Sequence, residues 1–207
     1  MRTRSLRDGD RYHHGDLSNA CVQAALDLLN EGGRGAVTLR AVAHRIGVSR
    51  SAPYRHFADK QSLLAACAAR GFDRLVAEAE AVVATCERCD VDTLRALLGC
   101  YGRFGIAMPH LYRLMFACEF RGGAYPELEA AAGRVCHQLH ETVERGQRAG
   151  TLRPGGTADS VLLLWSSLHG LVSLCNDLAP SAVLDSSDLA CQLDRVFAVV
   201  RPAFEPS

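Results

Sequence analysis

An all-α fold is predicted for this chain from three observations. Apolar residues recur at helical spacing through every long segment, and Asp, Thr, Pro and Gly punctuate those segments where helices begin and end. One stretch, Val37–Lys60, also has the spacing of two short helices joined by a tight corner. Together they define about nine helices, divided into a three-helix head over residues 1–60 and a larger helical domain over residues 61–207.

The head begins with a polar tail over residues 1–11 that carries Arg2, Arg4, Arg7 and Arg11. It reads as a solvated arm, or as one that tracks phosphates or the minor groove. His13 and His14 are adjacent, so their side chains point apart on a helix and no metal site is expected there. Asp16 is placed to cap the first helix, whose apolar stripe is Leu17, Ala20, Cys21, Ala24, Leu28 and Leu29 and which stops at Gly32-Gly33. Thr38 caps the second, with Leu39, Val42, Ala43 and Ile46 on one face. Gly47 supplies the left-handed exit and Val48 plugs the corner. Ser49 then caps a short third helix, Arg50–His56, with Pro53 in or just past its first turn, where a missing N–H costs least. Phe57 anchors the end of that helix. Asp59 caps a fourth helix from Lys60 to about Thr85, with Leu63, Leu64, Cys67, Phe72 and Leu75 inward. Gly71 in its middle costs about 1 kcal/mol relative to Ala, so a bend or a close contact is expected there.

Beyond Cys86 the pattern is purely helical. A fifth helix covers Val91–Ala107; Pro109 starts a sixth over His110–Phe120; Pro126 starts a seventh that reaches Arg148 and ends at Gly150. The eighth, from about Ala158 to Leu178, is apolar on nearly every side and must lie between its own core and another surface. The ninth, Ser187–Arg201, carries an apolar face. The last two helices suggest a four-helix interface between two copies, with Leu168, Leu171, Leu189, Leu193, Val196 and Phe197 as its contacts.

The composition is 48% hydrophobic and the formal net charge is zero. That balance hides an asymmetry. Residues 1–60 hold ten Lys or Arg against six Asp or Glu, and the remainder hold thirteen against seventeen. A basic end on a neutral chain localises any nucleic-acid contact to that end. The N-terminal residues are charged and lack an apolar segment, so the chain is expected in the cytoplasm. The most apolar run, Val161–Asn176, is interrupted by Ser166, Ser167, His169, Gly170 and Ser173, and no membrane segment is expected. Nine cysteines scattered through helical patterns read as reduced thiols.

The chemistry concentrates on the third helix. It offers solvent Arg50, Ser51, Tyr54, Arg55 and His56, beside an Ala52 small enough for close approach. Arg bonds two acceptors on guanine, and Ser and Tyr bond phosphates or base edges. Lys60 sits in a helical first turn, a poor place for a cation unless a phosphate is near. The pattern G-V-S-x-x-x-x-Y-R-H-F-x-D-K, with T-L-R-A-V-A ahead of it, resembles the DNA-binding domain of the TetR family of bacterial repressors.

Tyr12-His13-His14-Gly15-Asp16-Leu17 is similar to the opening of the first helix in one subgroup of that family. Trp165-x-x-x-His169-Gly170 resembles a pattern of one group of its C-terminal domains. The resemblance implies a homodimer on double-stranded operator DNA, controlled by a small molecule, with the fourth helix linking head to ligand domain and the last two helices dimerising. It also implies that Arg40, Arg50 and Ser51 reach base edges while Thr38, Tyr54, His56 and Lys60 hold phosphates. Pro53 departs from the Leu that many members carry, which bears on the placement of Ser51.

Six of the thirteen aromatics fall in the fifth, sixth and eighth helices. A pocket for a small, largely apolar effector is therefore expected among Tyr101, Phe104, Met108, Tyr112, Phe116 and Trp165, with His169 or Tyr101 as its polar contact. Core packing is the plain alternative. A different class of function, a helical enzyme or a thiol or metal redox protein, would use Cys86, Cys89, Cys136, His137 and His140. That reading lacks a nucleophile elbow, a phosphate loop, a carboxylate pair and a full metal set. No cofactor is expected.

Overall fold

The computed structural model describes residues 13–120, 122–177 and 189–206, with side chains from Leu17 onward. Among the described residues there are eight α-helices, three short 3-10 turns and no strand. The arginine-rich tail, the expected cap Asp16 and the start of the ninth predicted helix at Ser187 lie outside the described residues and side chains.

α1 (His13–Ala36) loses helical geometry at Gly32 and Gly33, so its regular part ends where the Gly-Gly pair falls. α2 (Leu39–Arg45) is capped by Thr38, whose Oγ1 accepts from Ala41 N at 3.0 Å. Gly47 leaves it with φ +70, a conformation open to a residue without Cβ. The segment after Ser49 differs from expectation. It is not a regular Arg50–His56 helix but a turn followed by a 3-10 turn over Pro53–Arg55. Pro53 has no N–H with which to reach the Ser49 carbonyl, so the bonds close at shorter range, from Ala52 N to Ser49 O (3.0 Å) and from His56 N to Pro53 O (3.0 Å). Ser49 does not act as a cap; its hydroxyl lies 3.3 Å from that of Ser51.

α3 (Lys60–Ala84) starts at a reciprocal cap in which Asp59 accepts from Ser62 N at 2.7 Å and Asp59 N donates to Ser62 Oγ at 3.1 Å. At about 1.5 Å per residue it spans roughly 37 Å, long enough to belong to both head and body. Gly71 marks a close contact: a Cβ there would lie 2.7 Å from Met115 Sδ. α4 (Val91–Ala107) has the predicted bounds, and Asp90 caps it by accepting from Thr93 N at 3.0 Å. That bond holds the Asp90 carboxyl below its ordinary pKa.

α5 (Pro109–Met115) is shorter than predicted, because the chain turns at Phe116 and makes a 3-10 turn over Cys118–Phe120. α6 (Pro126–Ala149) ends at Gly150, and α7 (Thr157–Asp177) and α8 (Leu189–Val200) complete the body.

α3 packs on α4, α5 and α6; α7 bridges α4 and α6; α8 lies on α4 and α7. One continuous apolar core runs from Cys21 and Leu64 in the head to Leu168, Val172 and Phe197 in the body. α7 is long and apolar enough to cross a membrane on length and composition alone, with a mean hydropathy of 1.3. Yet Leu164, Leu168, Leu171 and Val172 on it are buried in this chain's own core.

Candidate functional site

Two sites take shape, one on the head and one in the body. On the head, the corner at Gly47 carries the backbone outward, and the 3-10 turn at buried Pro53 leaves Arg50, Ser51, Tyr54 and Arg55 exposed, Tyr54 by 59%. Arg40 and Thr38 are exposed on and before α2, and Ala52 and His56 are half-buried beneath the turn. Phe57, 6% exposed, fastens the turn to the core.

Two cations of the head are committed elsewhere. Arg45 grips Glu31 of α1 through two bonds of 2.7 and 2.6 Å, which holds the Glu31 carboxyl below its usual range. Lys60 donates its ammonium to the Arg34 carbonyl at 2.9 Å. A cation in the first turn of α3 thus already has a protein acceptor at the end of α1.

In the body, Tyr101 of α4, Tyr112 of α5 and His169 of α7 form a closed polar triangle inside apolar surroundings. Tyr112 Oη lies 2.6 Å from His169 Nδ1, Tyr101 Oη lies 3.1 Å from the same nitrogen, and the two hydroxyls are 3.1 Å apart. Burial pushes the pKa of both tyrosines up and that of His169 down, so the neutral forms persist. Neutral His169 accepts at Nδ1 from one hydroxyl while the other hydroxyl donates to the first. Trp165 stacks on His169, and its ring meets Tyr101 and Phe116 edge-on at 5.4 and 6.0 Å.

Trp165 is also a partition. On one side lies a cavity of about 50 Å³, walled by Leu75, Leu98, Tyr101, Gln138, Leu164 and Leu168. On the other lies a groove of about 450 Å³ between α5, the Cys118–Phe120 turn and α6, lined by Phe72, Met115, Phe116, Phe120, Glu129 and Cys136 among others.

Of the seven residues expected at a pocket, Tyr101, Phe116 and Trp165 line one or both of these spaces. Phe104, Tyr112, Met108 and His169 line neither; Phe104 and Tyr112 are core residues, 2% and 3% exposed. The groove residues Phe72, Leu128 and Glu129 were not anticipated, and Cys136, a candidate of the thiol or metal reading, lines the groove with them. They sit on α3 and α6, which have no aromatic concentration to draw attention to them.

The cysteines and histidines do not assemble a site. Cys86 donates to Val82 O at 3.3 Å within its own helix end, Cys89 is buried, and Cys136, His137 and His140 are exposed along α6. Among the described residues no group of three or more His, Cys, Asp or Glu is placed to hold a metal ion. All nine cysteines are free thiols, and burial drives Cys67 up to about 12.

The residues expected at a dimer interface divide in two. Leu168, Leu171, Leu193 and Phe197 are buried in the subunit itself; Leu193 packs where a Cβ on Gly102 would come within 2.7 Å of its Cδ1. Leu189 and Val196 are half-buried. The apolar side chains that α7 and α8 leave to solvent are Leu162, Leu163, Leu174 and Val199, at 65, 38, 40 and 80%. Helical periodicity does not tell which of two apolar faces meets its own core.

Two family models match this arrangement of head and body. Residues 22–67 match the model described as bacterial regulatory proteins of the tetR family, and residues 94–203, more than half of the chain, match the tetracyclin repressor-like C-terminal domain. The chain belongs to the tetR family. Across 50 residues this tetR-family chain is 50% identical to the class A tetracycline repressor protein from transposon 1721 of Escherichia coli. That match covers 24% of this chain and 23% of the repressor, about a quarter of the length of each.

A solved protein with unknown function from Rhodococcus sp. RHA1 superposes over 95% of this chain and 99% of its own, with a TM-score of 0.81 and 28% identity. The fatty acid degradation regulator FadR from Bacillus halodurans has the same fold over 94% of this chain and 96% of its own, with a TM-score of 0.69 and 16% identity.

Proposed function

We propose that this tetR-family chain is a homodimeric, ligand-controlled repressor that binds a near-palindromic operator in the cytoplasm and catalyses no reaction. The observation that carries the reading is the exposed set Arg50, Ser51, Tyr54 and Arg55 on a turn fastened by buried Pro53 and Phe57, at the corner of a helix-turn-helix. Arg40, Arg50 and Ser51, next to the small Ala52, read base edges; Thr38, Tyr54 and His56 hold phosphates. Lys60 takes a phosphate only by sharing the ammonium that now serves Arg34. The division of labour falls near residue 60, where the Asp59 cap starts a helix common to both parts, with residues 61–207 binding the effector and the second copy.

The groove beside Trp165 receives the effector. Its walls are mostly apolar and aromatic, which suits a small, largely apolar molecule. The Tyr101 and Tyr112 hydroxyls and His169 Nδ1 bond to one another, so they support Trp165 from behind and an effector bonds to those three atoms only by displacing one of them. Dimerisation covers the Leu162, Leu163, Leu174 and Val199 face. Two copies joined there set two reading heads about 34 to 36 Å apart, one turn of DNA.

The test is a gel shift with DNA flanking the protein's own coding region, followed by a thermal-shift screen for molecules that raise the melting temperature and then release the shifted band. Retention of DNA by wild type and its loss in an Arg50→Ala, Ser51→Ala double variant supports the reading. Equal retention by both, or by neither, overturns it.

A further inference from the structure

We propose that the 3-10 turn Cys118–Phe120 is a second link between the groove and the head, separate from the continuous helix α3, acting through an ion pair between Glu119 and Arg34. The inference rests on the groove being the effector site.

Four contacts converge on the end of α1. Gly33 has φ +66, and a Cβ there would sit 3.3 Å from Cε1 and Nδ1 of His110, the second residue of α5. The backbone of the head therefore lies directly against the start of the helix that carries Tyr112 and Met115. Next to it, the Arg34 guanidinium pairs with Glu119 and also donates to Gln61 Oε1 at 3.1 Å. The Arg34 carbonyl accepts from Lys60 at 2.9 Å. Arg34 thus ties together the end of α1, the start of α3 and the turn after α5.

The other side of that turn faces the groove. Phe120, adjacent to Glu119, is 5% exposed and lines the groove with Phe116 and Ala117. Within the turn Phe120 N donates to Ala117 O at 3.3 Å. One residue of this short turn touches the groove and the Tyr125 ring while its neighbour pairs with the head. An occupant that shifts the backbone of Phe120 pulls on Glu119, since consecutive Cα atoms keep a spacing of about 3.8 Å across a trans peptide.

On the head side the pull reaches Val37, fully buried, and then Thr38, the cap of α2. The pair is accessible, with side chains 40 and 35% exposed, so it is of the modest strength that an effector can break. A strong buried pair would lock the head. This one biases it.

The groove can be filled without knowing the natural effector, because Cys136 lines it and is exposed. In a Cys118→Ser, Cys191→Ser background, benzyl methanethiosulfonate transfers its thiobenzyl group to the Cys136 thiolate and releases methanesulfinate. Single labelling is verified by intact mass. The readout is hydrogen exchange of backbone amides over residues 33–47, which needs no DNA.

Labelling is expected to accelerate exchange there at least threefold. Glu119→Gln should reduce that response by more than half, and the swapped pair Arg34→Glu, Glu119→Arg should restore it. No acceleration on labelling, or an equal acceleration with and without the Glu119→Gln change, overturns the proposal. Retention of operator DNA by the unlabelled protein reports on the DNA-binding reading alone, so failure of either idea is seen separately.

Discussion

Arg45 and Arg50 stand five residues apart in one helix-turn-helix, yet their surroundings give them different work. Arg45 is held by Glu31 in a two-bond clasp, whereas Arg50 projects from the turn into solvent. Replacing Arg50 with Ala should cost about 1 to 3 kcal/mol of DNA binding and relax sequence preference. Arg45→Ala should instead lower stability only slightly, since the pair is largely exposed, and leave preference alone. Fluorescence anisotropy with matched and scrambled operators, alongside thermal melts, separates the two.

His169 supplies a pH dependence. Burial lowers its pKa in the folded chain below the ordinary histidine value, so the unfolded chain takes up a proton first as pH falls. Its neutral contribution is fully present above the ordinary value and is lost as pH drops through and below it. Wild type should therefore lose more melting temperature between pH 7 and pH 5 than His169→Asn, with carboxylates and the other histidines titrating alike in both. Parallel curves for the two proteins would refute the role.

At the scale of elements, close helix crossings decide which glycines matter. A Cβ on Gly105 of α4 would come within 2.4 Å of Val172 Cγ1 on α7, whereas a Cβ on Gly133 of α6 meets nothing within 4 Å. Gly105→Ala should destabilise by about 1 to 3 kcal/mol through overpacking. Gly133→Ala should stabilise by about 0.4 to 1 kcal/mol by restricting the unfolded chain. Urea unfolding of the two variants checks both signs.

The aromatic elements give a similar contrast. Phe104 is solid core, so Phe104→Ala should lose about 3 to 5 kcal/mol with or without effector. Trp165 divides the small cavity from the groove, so Trp165→Ala should merge them and change effector affinity well beyond its effect on melting. Calorimetric titration with the effector found by screening decides this. Unchanged affinity would place the effector elsewhere.

For the whole molecule, the proposed dimerisation and switching both draw on one helix. α7 turns Trp165 and His169 toward the aromatic cluster and Leu162, Leu163 and Leu174 toward solvent. Leu162→Glu with Val199→Glu should give a monomer of nearly unchanged fold that no longer holds the operator, as read by light scattering and gel shift. Leu193→Glu should unfold the subunit, because that side chain is 8% exposed against α4. A monomeric double variant with undiminished operator affinity would break the coupling of dimer to DNA. Moving such a dimer from 99:1 competent to 1:99 requires about 5.5 kcal/mol of differential effector affinity.

Local chemistry was legible in the sequence wherever a neighbour in the chain decides the outcome. Thr38 and Asp59 cap the helices they were expected to cap, Gly47 turns the corner, and Val91–Ala107 has its predicted bounds. The fold class followed from periodicity, because a helical stripe is a property of residues three and four apart.

Tertiary structure decided what depends on distant residues. Pro53 could be seen, but proline is tolerated in the first turn of a regular helix, so its presence alone did not announce a 3-10 turn. Leu193 and Leu162 are equally apolar letters, and only the placement of α4 sends one inward and leaves the other exposed. The groove draws on α3, α5, the Cys118–Phe120 turn, α6 and α7, and Arg34 meets Glu119 across 85 positions, 34 to 119. No spacing rule reaches that far, because side chains so separated are brought together by packing of the whole core and not by the repeat of any one helix.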